Sequence, residues 1–303
     1  MRLKPVLKDY IWGGDKLKSL FGKDNQNNKI AESWELSVHK DGVSVTDNGL
    51  LSDFISANPE SVCPDCKHLP IMIKYIDARE NLAVQVHPDD SYARLNEGDN
   101  GKTEMWYVIS AEEGAGIYCG FKKDVTKEEF IQKVNENKVL ELLNFIPVQA
   151  GDSYLIKPGT IHALGAGCVV CEVSQSSNVT YRVYDYDRVL PNGQKRELNV
   201  EKAMDVLNFS EFVCEKRQRR RVLVNNVTIR GLAGCKYFAS SEIKMNGSFS
   251  MKNEDSFTAI NVIVGSGEIN GEAFKAGDTF FIPCGDEYSI KGTATLILTT
   301  RGK

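Results

Sequence analysis

The stretch AGDSYLIKPGTIH at 150–162 is repeated without a gap by AGDTFFIPCGDEY at 276–288. Gly151, Asp152, Ile156 and Gly159 recur as Gly277, Asp278, Ile282 and Gly285. Self-similarity of this kind marks a duplicated structural unit. Each copy sets a Gly-Asp turn before an apolar strand and a Pro/Gly turn after it. That pattern edges a β-sandwich of jelly-roll kind, so the chain reads as two such sandwiches in tandem.

The rest of the chain agrees with a mainly β fold. SWELSV, LPIMIKYID, LAVQVH, EMWYVIS, AGIYCGF, CVVCEVS, TYRVYDY, TAINVIVG and ATLILTT are rich in β-branched and aromatic residues and are bounded by Gly, Pro, Asn or Asp. KPVLKDYIW reads the same way. Helical spacing is confined to LLSDFISANPESV, KKDVTKEEFIQKVNENKVLELL and NVEKAMDVLNF, the last with Asn199 as its expected cap. These read as helices inserted between sheet segments. The basic run KRQRRR at 216–221 reads as a solvated linker or strand entry and sets the boundary between domains at 1–215 and 216–303.

The 303 residues carry 37 basic and 41 acidic side chains, a formal net charge of −4. No whole-chain positive field favours nucleic acid or an anionic membrane, and a small, locally recognised ligand fits better. No window approaches 18 consecutive apolar residues and the amino terminus has no apolar leader core, so a soluble cytoplasmic protein is expected. The eight cysteines are expected to be reduced thiols, with no disulfide framework.

In NLAVQVHPDD, Gln85 and His87 lie two apart on a strand and project from one face, while Val84 and Val86 project from the other. Glu104 opens the strand EMWYVIS, and His162 follows the turn PGT. Imidazole nitrogen and carboxylate oxygen at one centre suit zinc or another divalent first-row metal. A strand histidine alone is usually structural. The second copy, however, has Tyr288 where the first has His162, so the fold does not itself require histidine there. One domain reads as metal-binding and the other as vestigial.

The Gly151, Gly159, His162 spacing resembles the second cupin motif, which makes the expected fold a tandem cupin, or bicupin, with a few inserted helices. YIWGG (10–14), AESWELS (31–37), IKYIDARENLAVQVHPDD (73–90), GKTEMWYVI (101–109), KPGTIHALGAG (157–167) and TYRVYDYDR (180–188) together resemble class I mannose-6-phosphate isomerases of the short bacterial form. The resemblance covers most of residues 5–190, and the remainder matches mainly as a degenerate cupin. It implies one zinc ion per chain held by Gln85, His87, Glu104 and His162, with Gln85 as either a direct ligand or a neighbour of the ligands. It implies an arginine role in catalysis for Arg182 and a hexose phosphate as substrate, in a monomer or homodimer. The family shares the insertion SYARLNEGDNGKT, which separates the acidic ligand from the Gln-x-His pair further than in most cupins.

Interconverting an aldose and a ketose phosphate requires removal of a weakly acidic proton beside a carbonyl, through an enediolate. Metal and cation stabilise the developing charge. Glu172 is the candidate general base, with a salt-bridged structural carboxylate as the alternative. Lys74 and Lys102 are candidates for binding phosphate or orienting sugar oxygens. Of the aromatics, Trp12, with Tyr10, is the candidate to line a sugar pocket, and Trp34 and Trp106 read as core. Cys63-Pro-Asp-Cys66, followed by His68, has the spacing of a zinc or redox site but no second ligand pair. Cys168 and Cys171 project to opposite faces of a strand and cannot chelate one ion; all four read as structural thiols. The competing functions are an iron-dependent cupin oxygenase and a non-catalytic sugar-phosphate-binding regulator.

Overall fold

The structure is a computed structural model, and it describes residues 1–24, 29–216, 220–224 and 226–302. Strands hold 47% of the chain and helices 15%, which makes it a mainly β protein.

The amino-terminal part contains two antiparallel sheets. One has six strands in the order Ser153–Ile156, Glu104–Ala111, Cys168–Gln175, Ile71–Ala78, Glu32–Leu36 and Val6–Lys8. The other has five, in the order Leu143–Pro147, Gly116–Phe121, His162–Leu164, Val84–Val86 and Tyr181–Tyr184. Ile76, Trp106, Val170 and Ile156 from the first sheet share one core with Ile117 and Leu164 from the second. That core closes the sandwich.

The third large sheet has eight strands and is built from residues 221–301, with the amino-terminal strand Arg2–Leu3 added at its edge beside Thr279–Ile282. Its long strands Phe238–Lys252, Thr258–Ile269 and Glu287–Arg301 curl around a core of their own that includes Val262, Phe280, Ile282 and Tyr288. Its other face supplies Phe238, Phe257, Phe281 and Ile297 to a core shared with Ile73, Tyr75, Met105 and Val173. The six-stranded sheet is therefore covered on both faces. This accounts for the largely apolar runs in LPIMIKYID and CVVCEVS, every strand residue of which is buried.

The repeat is repeated in hydrogen bonds. The amides of Gly151 and Gly277 donate to the carbonyls of Val108 and Val262, each at 2.8 Å. Asp152 accepts from the Gln149 amide and Asp278 from the Lys275 amide, at 3.1 and 2.9 Å. Gly151, Gly159, Gly277 and Gly285 all have φ between +81° and +91°, a region that Cβ-bearing residues avoid. Strand register extends the match further: Glu104 faces Ile156, and Thr258 faces the equivalent Ile282. The second copy thus has Thr258 and Tyr288 where the first has Glu104 and His162.

Three expectations need correction. Cys63–Cys66 and Cys119–Cys214 are disulfides, with Cα separations of 5.1 and 5.6 Å. The second pair joins residues 95 apart in sequence, a proximity that no spacing rule reveals. Asn199 precedes the helix Val200–Val206 but makes no side-chain cap; its Oδ1 accepts instead from the Arg182 amide at 3.4 Å. KPVLKDYIW forms strand only over Val6–Lys8, because residues 11–14 turn back through a Gly13-to-Tyr10 hydrogen bond. Of KRQRRR, residues 217–219 lie outside the described residues, and Arg221 begins the strand Arg221–Val224. Cys168 and Cys171 remain free thiols on opposite faces of their strand, one in the sandwich core and one in the core shared with the carboxy-terminal sheet. No helix among the described residues is long and apolar enough to cross a membrane.

Candidate metal centre and active site

His87, Glu104 and His162 converge inside the first sandwich, their ligand atoms all within 4.8 Å of one another. Two strands of the five-stranded sheet aim the imidazoles, since His87 follows Val84–Val86 and His162 opens His162–Leu164, where it pairs in register with Gln85. Glu104 comes from the facing six-stranded sheet. All three side chains are at most 1% exposed. The turn that positions His162 is itself fastened to His87, because the Gly159 amide donates to the His87 carbonyl at 2.9 Å.

The tautomers follow from the acceptors. His87 Nδ1 lies 2.8 Å from the Val179 carbonyl and His162 Nδ1 lies 2.9 Å from the Thr160 carbonyl. A carbonyl can only accept, so each Nδ1 carries a proton and each Nε2 is the ring nitrogen turned toward the cluster. These Nε2 atoms lie 3.5 and 3.3 Å from the two Glu104 oxygens. His87 Nε2 and both Glu104 oxygens are buried without a hydrogen bond. Burial holds His162 neutral, its pKa pushed down to about 4. For Glu104, burial opposes ionisation, but the Lys102 ammonium beside it outweighs that and holds the carboxyl well below its usual range. Two imidazoles fixed from behind through Nδ1, together with one buried carboxylate, fit a divalent cation. Gln85 is adjacent, its Nε2 3.4 Å from His162 Nε2. A flip of the amide would turn its oxygen to the same point.

A cavity of about 400 Å³ opens beside this cluster. Gln85, Lys102, Trp106 and Glu172 form its inner wall; Trp12, Lys74 and Arg182 also line it. Trp34, Lys74, Glu172 and Trp106 are register partners on four successive strands and so form one row across the sheet. The Lys102 ammonium lies 2.8 Å from both Glu104 and Glu172. Burial would lower its pKa, but the two carboxylates outweigh that and raise it, so Lys102 is a fixed cation. Lys74 is buried against Glu32 at 3.2 Å and over the Trp34 ring at 4.3 Å. Trp12 is 3% exposed, with the Tyr10 ring 5.7 Å away at the mouth.

At the outer wall the sequence pointed to Arg182 but not to Arg196. Arg196 donates from Nε to Asp185 at 2.7 Å, and the same buried carboxylate binds Arg188. Among the described residues, the Arg182 guanidinium has no hydrogen-bond or ion-pair partner, and burial followed by the nearby Arg196 lowers its pKa. The signal available in the sequence was a pair of cations, Lys195 and Arg196, following the turn PNG.

Residues 1–124 match the family described as phosphomannose isomerase type I, catalytic domain, and residues 228–301 match the mannose-6-phosphate isomerase cupin domain. The chain is 38% identical to the probable mannose-6-phosphate isomerase GmuF of Bacillus subtilis over 310 residues, covering 98% of each. The chain belongs to the type I mannose-6-phosphate isomerase family. The mannose-6-phosphate isomerase of Streptococcus mutans is 36% identical over 291 residues, with 93% of this chain and 91% of the relative covered. The crystal structure of the Bacillus subtilis mannose 6-phosphate isomerase superposes with a TM-score of 0.91 at 35% identity, over 98% of both chains. A putative mannosephosphate isomerase from Archaeoglobus fulgidus, at 23% identity and a TM-score of 0.81, shares the fold. Membership in this isomerase family sets aside the oxygenase and regulator alternatives.

Proposed function

We propose that the chain interconverts D-mannose 6-phosphate and D-fructose 6-phosphate using one zinc ion, and that residues 1–215 carry the whole site. The observation that carries this reading is the His87, Glu104, His162 cage, whose ligand atoms converge, buried, within 4.8 Å of one another beside a cavity of sugar-phosphate size. Those three residues hold the metal, and Gln85 completes the set. When bound, the ion supplies Lewis acidity toward the sugar carbonyl.

Glu172 moves the proton between C1 and C2. It is the carboxylate of the inner wall that faces the cavity without serving the cage, and Lys102 at 2.8 Å fixes its orientation. Lys102, held protonated, donates toward the oxygen on which negative charge develops. The phosphate lies at the outer wall. Lys74 and Lys102 are each neutralised by carboxylates, whereas Arg182 has no anionic partner among the described residues and Arg196 shares a single carboxylate with Arg188. A phosphate dianion supplies the missing charge there. Trp12 borders the sugar ring.

The test is a coupled assay of aldose-to-ketose conversion with and without chelator, accompanied by metal analysis. Activity that is lost with chelator and restored by zinc supports the reading. Turnover by a His87→Ala, His162→Ala double variant at the wild-type rate refutes it.

A further inference from the structure

The Cys63–Cys66 pair lies far from this chemistry and has a partner that a purely structural disulfide does not need. Cys63-Pro64-Asp65-Cys66 is a turn, closed by a hydrogen bond from the Cys66 amide to the Cys63 carbonyl at 3.2 Å, with proline at its second position. It is docked on the carboxy-terminal sheet. The Ser61 carbonyl accepts from the Cys284 amide at 2.7 Å and the Val62 carbonyl from the Phe257 amide at 2.8 Å. Cys63 is fully buried, while Cys66 is partly exposed between exposed Asp65 and Lys67.

Arg301, from the last strand, directs its Nη1 at both sulfurs, 2.5 Å from Cys63 and 3.4 Å from Cys66. Among the described residues no carboxylate lies within ion-pair distance of this guanidinium, and its remaining hydrogen bond is to the Gly302 carbonyl. Disulfide sulfur is a weak acceptor, so a half-buried cation aimed at it gains little. A thiolate at the same place would gain much. The open groove alongside, lined by Pro64, Asp65, Asp255, Ser256 and Arg301, gives a reductant access to the turn.

We infer that Cys63 and Cys66 are a redox-active dithiol–disulfide couple that exchanges with an external dithiol, with Arg301 stabilising the Cys63 thiolate. In the forward step a donor thiolate attacks the sulfur of Cys66, the partly exposed member of the pair. The Cys63–Cys66 bond breaks, and Cys63 leaves as a thiolate beside Arg301. The donor's second thiol then attacks the donor sulfur of the mixed disulfide, its proton passing to Cys66. Two electrons move to the protein, and the donor leaves as a disulfide.

The full chain is equilibrated across ratios of reduced to oxidised glutathione and quenched by alkylation. Mass spectrometry then reads the 63–66 peptide, with the buried, apolar Cys119–Cys214 pair as internal reference. The expected result is a two-electron transition of Cys63–Cys66 within the range, separate from any opening of Cys119–Cys214. Arg301→Gln should shift it toward the disulfide by about tenfold, equivalent to roughly 30 mV. Arg301→Lys, which keeps the charge, should stay within about threefold of wild type. In a Cys66→Ser background, the pH at which Cys63 becomes alkylatable should rise with Arg301→Gln and not with Arg301→Lys. A pair that stays in one form across the whole range, or a transition that Arg301→Gln leaves in place, overturns the inference.

Discussion

The buried carboxylates at the centre share one cation but face different ways, and on the proposed function that divides their roles. Glu104 serves the cage, Glu172 faces the cavity, and Lys102 touches both at 2.8 Å. Glu172→Gln should therefore retain bound metal and near-normal KM while kcat falls by about 10²–10⁴-fold, as measured by metal analysis beside steady-state kinetics. Loss of metal in that variant would make Glu172 part of the cage. Arg196→Ala should raise KM for the sugar phosphate and leave metal content alone, and inorganic phosphate should inhibit the variant less than wild type. The titration of His162 carries a sign that can be checked on chelator-treated protein. Its folded pKa of about 4 lies below the unfolded value of 6.5, so the unfolded chain takes up the proton first as pH falls. Stability is complete above about pH 6.5, declines as pH falls toward about 4, and loses nothing further from this group below that. Denaturant midpoints across this window should show the decline, and His162→Gln should flatten it.

The elements that position the ligands are tied together through backbone groups. Gly159 is the clearest case: its φ is +81°, its amide holds the His87 carbonyl, and an added Cβ would lie 2.9 Å from the Val206 carbonyl. Gly285, its counterpart in the second copy, has φ +88° but open space around a Cβ. Both alanine variants bear the cost of a left-handed residue, about 1–2 kcal/mol. Only Gly159→Ala should also weaken metal retention, as followed by metal release to a competing chelator. Equal effects of the two variants on metal retention would show that the turn does not control the cage. At this scale the sequence was informative where its pattern was local. Gln85 and His87 share a face because strand periodicity is two, and the Gly-Asp turn announced its strand in both copies. Contacts between remote segments were not legible. Glu32 neutralises Lys74 and Cys119 meets Cys214; nothing in local spacing encodes those meetings.

Across the whole molecule, the carboxy-terminal sheet has Thr258 and Tyr288 at the positions of Glu104 and His162 and covers the back of the six-stranded sheet that carries Glu104 and Glu172. The seam contains a buried charge network as well as apolar packing. Tyr107 and Arg230 each donate to the same Glu242 oxygen at 2.8 Å, and Arg230 also donates to the Gly151 carbonyl at 2.7 Å. Glu242→Ala leaves Arg230 buried without its carboxylate and should destabilise the chain by about 3–5 kcal/mol in denaturant unfolding. The sequence repeat made the two β units legible. It did not disclose that Arg2–Leu3 joins the second unit's sheet, because that strand is too short to carry a pattern of its own. The central claim is that His87, Glu104 and His162 hold the metal on which isomerisation depends. Its most direct test is the zinc content of the purified His87→Ala, His162→Ala double variant, assayed together with its conversion of mannose 6-phosphate to fructose 6-phosphate. The account predicts a folded protein with neither bound zinc nor turnover, against one zinc ion per chain in the active wild type. A double variant that isomerises at the wild-type rate would contradict it.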